Sequence, residues 1–258
     1  MSVDCIRVRP GVEVASLSDV GCQRENNEDS YVYWEPADDQ DFQRKGRLAV
    51  IADGMGGHEG GQEASHLAVE TVREVYDRTF VDDPQAALLE SFAAAHTRIL
   101  DYAEQHPVFQ GMGTTCTALV LLGHQLYFAH VGDSRLYLIR QNKIHRLTRD
   151  HSYVGRLVES GLVRPEDAES HPQRHILTGA LGAGREVAVD GPDRSTALRE
   201  GDALLLCTDG LWGVVADADL EIAVSKYAPV ECCAALVKLA RERGGPDNIT
   251  LQVLHVGA

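Results

Sequence analysis

Four aspartates adjoin short runs of apolar residues, and this pattern constrains the fold more than any other feature of the chain. Residues 48–52 precede Asp53, residues 126–132 precede Asp133, residues 203–208 precede Asp209, and residues 249–254 follow Asp247. Short apolar runs bounded by Gly, Asn or Asp are typical of buried β-strands. A carboxylate at the end of a buried strand is costly unless a partner compensates its charge. Several such ends at one edge of a sheet would form a site for Mg²⁺, Mn²⁺ or Ca²⁺.

Length and charge narrow the class of protein. The 258 residues, 44% of them hydrophobic, indicate one large globular domain, because no stretch is polar or flexible enough to be a linker. The net charge of −15, from 24 Lys and Arg against 39 Asp and Glu, argues against binding to nucleic acids or to an anionic membrane surface. An enzyme acting on phosphate can still be acidic, because bound divalent cations reverse the local field.

The sequence favours a cytoplasmic protein. Residues 1–10 carry charged side chains and lack the apolar core of a signal peptide, and no run is long enough to span a bilayer. The six cysteines show neither a CxxC pair nor zinc-finger spacing. They are therefore expected to be free thiols in a reducing compartment.

The spacing of apolar residues predicts an α+β fold. Predicted strands cover residues 12–20, 30–34, 48–52, 119–122, 125–131, 135–140, 143–147, 186–190, 203–207 and 249–256. Predicted helices follow the glycine-rich turn 54–61, begin at Pro84, and lie around 220–224 and 233–240. Strands cluster in antiparallel runs and helices come in pairs, each with one apolar stripe. We therefore expect a four-layer α-β-β-α sandwich of two mostly antiparallel sheets flanked by helices, with a polar flap subdomain inserted at about 152–184.

The segment 24–29 adds a cation and more carboxylates just before the second predicted strand. Arg24 has the planar guanidinium that suits bidentate recognition of an oxyanion, and Glu28 and Asp29 follow it. An arginine beside a site with several carboxylates suggests a phosphate substrate. The chemistry would be a two-metal hydrolysis, in which a bridging water becomes hydroxide and attacks phosphorus in line.

Seven segments, in this order, are similar to the motifs of a known family. They are residues 24–29, 53–57, 113–115, 131–135, 148–152, 207–212 and 247–250. Together they resemble the metal-dependent Ser/Thr protein phosphatase 2C family in its bacterial single-domain form. The resemblance runs through nearly the whole chain, so we expect a domain of this type over residues 12–256.

The resemblance implies a set of metal ligands at one edge of the sandwich. Asp53 would bridge two Mn²⁺ or Mg²⁺ ions, and the Gly54 carbonyl would ligate the second, where a glycine lets the backbone approach closely. Asp209 and Asp247 would complete the shell of the first ion. Asp133, together with Asp209, would form a third, weaker site.

The resemblance also implies roles around the phosphate and the attacking water. Arg24 would hold the substrate phosphate, Glu28 and Asp29 would hold metal-bound waters, and Asp29 would orient the nucleophile. Eukaryotic relatives carry a histidine directly after the Asp-Gly pair as a general acid, whereas this chain has Met55. His58 lies three residues further on and cannot be assumed to replace that histidine. We therefore hypothesise that a metal-bound water protonates the leaving group instead.

The sequence predicts a phosphatase that hydrolyses phosphoserine and phosphothreonine in proteins, works opposite a Ser/Thr kinase and is a monomer. A catalytically silent binding module for phosphoproteins or kinases, and a small-molecule phosphatase or regulator, are the alternatives. Each aspartate alone could be a turn residue or a helix cap. Arg24 could simply pair with Glu28 at i+4, and Arg135 is predicted to be a structural partner rather than a phosphate ligand.

Overall fold

The structure, a computed structural model, describes residues 8–56, 60–78, 83–168 and 171–257. Its strands are β1 (Val12–Asp19), β2 (Asp29–Trp34), β3 (Arg47–Met55), β4 (Gly113–Thr114), β5 (Cys116–Leu122), β6 (Gln125–Val131), β7 (Arg135–Arg140), β8 (Lys143–Arg146), β9 (Thr196–Ala197), β10 (Ala203–Cys207) and β11 (Ile249–Val256). Its α-helices are α1 (Asp39–Lys45), α2 (Gly60–Arg78), α3 (Pro84–Gln105), α4 (Tyr153–Glu159), α5 (Pro165–Ala168), α6 (Asp209–Trp212), α7 (Asp217–Lys226) and α8 (Pro229–Glu242).

The strands form two antiparallel sheets. Sheet one has the order β1-β11-β10-β7-β8. Sheet two has the order β2-β3-β5-β6-β9, and the short β4 pairs with the end of β3. The termini of the domain meet in sheet one, where Val12 pairs with Val256 and Asp19 pairs with Ile249. The end of β3 and the start of β11 therefore belong to different sheets, so only the packing of the sheets can bring their acids together.

Three apolar layers hold the sandwich together. Leu119, Leu204 and Leu254 lie in the layer between the two sheets. A second layer packs α2 and α3 against sheet two, and a third packs α7 and α8 against sheet one. Each strand alternates its side chains between two of these layers, which requires apolar residues on both faces of the central strands. This confirms the predicted four-layer α-β-β-α sandwich.

Local sequence signals explain where the long helices begin. Asp83 caps α3 by accepting hydrogen bonds from the backbone N–H groups of Gln85 and Ala86, and Pro84 occupies the first turn, where its missing N–H costs nothing. The helix then buries Leu88, Phe92 and Ile99 on one stripe. This spacing matches the predicted apolar face and directs it towards sheet two.

The predicted strand at 186–190 is wrong. This segment runs as irregular chain, and its one ladder contact is an isolated bridge between Asp190 and His130. Val187 and Val189 still pack against the core beneath sheet two. The alternating pattern thus reports burial of one face, but a strand also needs a backbone partner along its length, which this segment lacks.

The segment 152–184 is polar and only weakly helical, as expected for the predicted flap. Ser152 caps α4 by accepting a hydrogen bond from the Gly155 N–H. Near its far end, Leu181 exchanges backbone hydrogen bonds with Thr114 of β4 (3.0 and 2.9 Å). The segment is therefore anchored directly beside the edge of sheet two at which β3 ends.

None of the helices in the described ranges is both long and apolar enough to cross a bilayer.

Candidate metal centre

Five aspartates from both sheets converge at one edge of the sandwich. Asp29 starts β2 and lies directly opposite Asp53 in the register of β2 and β3. Asp133 follows β6, Asp209 follows β10, and Asp247 precedes β11. Repulsion from the Asp209 carboxylate contributes to the raised pKa of Asp53, although Asp53 belongs to sheet two and Asp209 adjoins sheet one. The four strand-end acids identified from the sequence, with Asp29, therefore form one cluster.

The cluster opens into a cleft of about 1290 Å³. Arg24, Gly54 and four of the aspartates (Asp53, Asp133, Asp209 and Asp247) line its wall. The segment 152–184 also lines the cleft, with Arg174 and His175, and the His175 Nδ1 lies 4.0 Å from the Asp209 Oδ2. A cleft of this size admits a phosphorylated side chain together with neighbouring peptide.

Asp29 lies behind this wall. Its Oδ2 accepts a hydrogen bond from the Thr208 hydroxyl at 3.0 Å. Its Oδ1 is buried and, within the described part of the chain, has no hydrogen-bond partner. Burial, opposed by hydroxyl hydrogen bonds and reinforced by Asp209 and Asp247, raises the pKa of Asp29 to about 7. A buried carboxylate with an unsatisfied oxygen indicates a site that lacks positive charge.

The neighbouring acids show the same electrostatic strain. Burial, followed by repulsion from nearby carboxylates, raises the pKa values of Asp53, Asp133 and Asp209 above their ordinary range. The buried Oδ1 of Asp209 also lacks a hydrogen-bond partner among the described residues. Like charges placed directly opposite each other on adjacent strands are destabilising. A bound cation would relieve both the burial and the repulsion.

The backbone of Asp53 is fixed by two threonines. Its N–H donates to the Thr115 hydroxyl at 3.0 Å, and its carbonyl accepts from the Thr115 N–H at 2.9 Å. The Thr114 hydroxyl donates to the same carbonyl at 2.8 Å. These bonds leave the Asp53 side chain as the part of the residue that faces the cleft.

Gly54 is required by close packing of the backbone. A Cβ atom there would lie 2.0 Å from the Gly61 carbonyl oxygen and 2.8 Å from the Glu28 carbonyl oxygen. The end of β3 can therefore approach the first turn of α2 only with glycine at this position. Close approach was expected at Gly54, but the atoms it meets belong to the protein backbone.

Glu28 does not line the cleft. Its Oε2 would lie 2.1 Å from a Cβ at Gly61, so the carboxylate sits at the first turn of α2. Its backbone N–H donates to the Asn248 Oδ1 at 2.8 Å. Burial, partly offset by Arg24, raises the pKa of Glu28. The carboxylate thus lies just behind the aspartates, near the partial positive charge of the helix N-terminus.

Arg24 pairs with Asp247 rather than with Glu28. Its Nη2 donates to the Asp247 Oδ2 at 2.8 Å, and 53% of its side chain is exposed. This hydrogen bond, opposed by partial burial, raises the pKa of Arg24. The simple i+4 pairing with Glu28 that the sequence allowed is therefore wrong. The guanidinium has five N–H donors, so most of its capacity remains for a ligand in the cleft.

Arg135 is a structural partner, as the sequence predicted. It forms a bidentate ion pair with Asp150 (3.1 and 2.7 Å), and only 5% of its side chain is exposed. Its guanidinium also lies over the Trp212 ring, 3.5 Å from the centroid. Three residues that support the site were not identified as functional from the sequence: Asp150, Trp212 and Thr208. Each acts through a contact with a residue distant in sequence.

The position after the Asp-Gly pair carries no imidazole. Met55 lies in the cleft wall, and a Cβ at Gly113 would be 3.3 Å from its Cε. A thioether has no proton to donate, so Met55 cannot be a general acid. His58 lies outside the described residues.

The donor chemistry of the cluster fits a hard divalent cation. Carboxylate and carbonyl oxygens are the ligands preferred by Mg²⁺ and Mn²⁺. In the part of the chain that the structure describes, no three His, Cys, Asp or Glu side chains converge tightly enough to form a ready-made ligand set. A bound divalent cation would supply the positive charge that the clustered acids lack.

Comparison with known proteins identifies relatives of this chain. The family model described as Protein phosphatase 2C matches residues 24–248. The chain is 38% identical over 250 residues to the serine/threonine protein phosphatase PstP of Mycobacterium tuberculosis, covering 97% of this chain and 46% of PstP. It is 36% identical over 251 residues to protein phosphatase PhpP of Streptococcus pneumoniae, covering 95% of this chain and 98% of PhpP.

A solved structure shows the same fold with metal bound. The catalytic domain of PstP in complex with two manganese ions has a TM-score of 0.81 and 34% sequence identity to this chain, covering 96% of this chain and 99% of that one. The chain therefore belongs to the protein phosphatase 2C family. It spans about half the length of PstP, at 46%, and nearly all of PhpP, at 98%.

Proposed function

We propose that this protein is a metal-dependent phosphatase that hydrolyses phosphoserine and phosphothreonine in proteins. The observation that carries the proposal is the cleft in which four aspartates from two sheets, with the buried Asp29 behind them, lie beside a half-exposed arginine. Membership in a family whose named relatives are serine/threonine protein phosphatases supports it. A regulator without catalytic activity would have no need for so costly a cluster of carboxylates.

We propose that Asp53, Asp209 and Asp247 hold two core Mn²⁺ or Mg²⁺ ions, with Asp53 shared and the Gly54 carbonyl as a further ligand. The unsatisfied oxygen of Asp209 and the raised pKa values of Asp53 and Asp209 support this assignment. When bound, the ions activate water as a nucleophile and neutralise charge on the phosphate. Asp133 with Asp209 would hold a third, weaker ion.

Arg24 is proposed to bind the substrate phosphate. Its bond to Asp247 fixes one edge of the guanidinium beside the metal ligands, and the exposed part faces the cleft. Charge-assisted N–H···O bonds to two phosphate oxygens would align the phosphorus with the attacking water.

Asp29 is proposed to orient that water. Thr208 holds one carboxylate oxygen, which leaves the buried Oδ1 free to accept a hydrogen bond from it. Glu28 lies further back, at the start of α2, and is proposed to hold ordered water around the metals rather than to touch the substrate.

Further assignments concern the extent of the domain, its partners and its location. We propose a domain over residues 12–256, with the segment 152–184 as a flap facing the substrate, because that segment lines the same cleft as Arg24. A Ser/Thr kinase acting on the same proteins and a monomeric state remain predictions from the sequence. A cytoplasmic location also remains a prediction, supported by five described cysteines that are free thiols.

Hydrolysis of a phosphothreonine peptide and of p-nitrophenyl phosphate, with Mn²⁺ and with EDTA, tests the proposal. We expect both substrates to be hydrolysed only with the metal, and Asp53→Ala and Asp209→Ala to lose activity to a similar extent. Activity that survives EDTA would refute the mechanism. Capture of the phosphopeptide without turnover would identify the silent binding module instead.

A further inference from the structure

Helix α6 joins the two sheets at the metal centre. The helix begins with Asp209 and ends with Trp212. The Trp212 Nε1–H donates a hydrogen bond to the backbone carbonyl of Asp133 at 3.0 Å. Asp133 follows β6 of sheet two, whereas α6 follows β10 of sheet one. One indole therefore connects the turns that carry two of the clustered acids.

The indole is held in place by Arg135. The guanidinium lies 3.5 Å from the centroid of the Trp212 ring, a close cation–π contact. Arg135 is itself fixed by its bidentate pair with Asp150 and by donating to the Tyr137 hydroxyl at 3.1 Å. Since the guanidinium is almost fully buried, the ring has little freedom to turn away from Asp133.

The turn around Asp133 is fastened on its other sides as well. The His151 N–H donates to the Gly132 carbonyl at 2.6 Å. The Ser134 and Thr115 hydroxyls are hydrogen-bonded to each other at 2.7 Å. Together with the hydrogen bond from Trp212 to the Asp133 carbonyl, these contacts connect three successive residues of the turn to different parts of the chain.

Such bracing is needed because Asp133 and Asp209 repel each other. Both side chains are largely buried in the wall of one cleft, so their negative charges are poorly screened from each other. Repulsion between the two carboxylates favours a larger separation of the two turns. The hydrogen bond from Trp212 to the backbone opposes that separation while leaving the carboxylates free to bind an ion.

We propose that Trp212 is a positioning residue that sets the separation of Asp133 and Asp209, so that both ligate the most weakly bound divalent cation. Arg135 and Asp150 hold the indole in that position. This inference rests on the proposed function, since it assumes that the acid cluster binds metal. It assigns a role in metal binding to a side chain that does not itself touch the ion.

The test counts Mn²⁺ bound to the folded chain by the electron paramagnetic resonance signal of free Mn²⁺. Wild type is expected to bind two ions tightly and one weakly. Trp212→Phe keeps an aromatic ring but removes the N–H donor. We expect it to lower only the affinity for the weakly bound ion, by about 10- to 100-fold. Asp133→Asn is the reference for complete loss of that step.

Trp34→Phe is the matched control. Trp34 packs edge-on against Tyr76, with ring centroids 6.4 Å apart, in the helix layer over sheet two. The Trp34→Phe variant should bind all three Mn²⁺ ions with wild-type affinity. Circular dichroism spectra like that of wild type would show that each variant is folded.

A second variant separates bracing from a general loss of stability. Arg135→Lys keeps the positive charge but loses the bidentate pair and the planar stack, so it should weaken the same step as Trp212→Phe. The inference would be overturned if Trp212→Phe bound all three Mn²⁺ ions with wild-type affinity. It would also be overturned if the variant bound all three ions equally more weakly. Wild type that binds only two ions would also overturn it, while leaving phosphatase activity with Mn²⁺ intact. Absence of both Mn²⁺ binding and activity would refute the proposed function itself.

Discussion

At the scale of single residues, the candidate metal centre is a set of acidic side chains, and the metal-free fold would be more stable without their charges. Asp29 and Asp53 lie opposite each other on adjacent strands, and burial, followed by repulsion from neighbouring carboxylates, raises the pKa values of both. A carboxylic acid whose pKa is higher in the folded chain than in the unfolded chain destabilises the fold as pH rises. The cluster is therefore a cost to stability that a bound cation offsets.

Removing one of these charges should stabilise the metal-free protein. In EDTA at pH 8, we expect Asp53→Asn to raise the free energy of unfolding by at least about 1 kcal/mol, because the neutral amide removes a charge that burial and repulsion disfavour. Urea unfolding measures this, with Asp193→Asn as an exposed control. Mn²⁺ should then stabilise wild type more than Asp53→Asn. Destabilisation of Asp53→Asn in EDTA would contradict the electrostatic account.

A buried histidine should govern stability in acid. His130 is fully buried, its Nδ1 hydrogen-bonds the Thr117 hydroxyl, and its Nε2–H donates to the Arg149 carbonyl. Burial, then repulsion from His151, lowers the pKa of His130 to about 4. The unfolded chain takes up a proton near pH 6.5 and the folded chain does not, so stability falls as pH drops from about 6.5 to 4, by roughly 3 kcal/mol from this group.

His130→Gln can be compared with wild type by urea unfolding between pH 7 and pH 4. The variant should be less stable at pH 7 but lose less stability on acidification, by roughly that same 3 kcal/mol. His145→Gln, at an exposed position of β8, should follow the wild-type slope. An unchanged slope in His130→Gln would show that His130 is not the group responsible.

At the scale of secondary-structure elements, the site depends on how closely β3 approaches α2. A side chain at Gly54 would meet two backbone carbonyl oxygens that have no room to move, those of Gly61 and Glu28. The close contact fixes the end of the strand that carries Asp53 against the helix. A change of one methyl group should therefore affect both stability and metal binding.

We expect Gly54→Ala to lower the free energy of unfolding by about 3 kcal/mol and to weaken Mn²⁺ binding. Gly123→Ala is the matched control: Gly123 has φ of +58° in the β5–β6 turn, and a Cβ there meets nothing within 4 Å. That variant should lose only the cost of the left-handed backbone, about 1–2 kcal/mol, and keep wild-type metal affinity. Similar metal affinity in both variants would contradict the role given to Gly54.

Elements with strong local signals were predictable from the sequence. The two-residue turn Gln141–Asn142, with φ of 54° and 57°, joins β7 to β8 where the sequence placed it. Asp83 and Pro84 mark the start of α3. The strand predicted at 186–190 does not form. Helix α1 (Asp39–Lys45) was not predicted, because it buries no residue and so shows no apolar stripe.

At the scale of the whole molecule, the site exists only because two sheets meet. Asp53 and Asp133 adjoin strands of sheet two, whereas Asp209 and Asp247 adjoin strands of sheet one. The sequence identified these acids from the runs beside them, and the family resemblance gave them separate roles. The sequence could not show the Arg24–Asp247 ion pair or the hydrogen bond from Trp212 to the Asp133 carbonyl, because each joins residues separated by many elements. Local patterns carry no information on such distances.

Titration of MnCl₂ into metal-free protein, following phosphate release from a phosphothreonine peptide, tests the central claim most directly. We expect wild type to pass from no turnover to full turnover as Mn²⁺ binds, and Asp209→Asn to remain inactive at the Mn²⁺ concentrations that saturate wild type. The exposed-site control Asp193→Asn should match wild type. Turnover by wild type before any Mn²⁺ is added, or wild-type turnover by Asp209→Asn, would contradict the account.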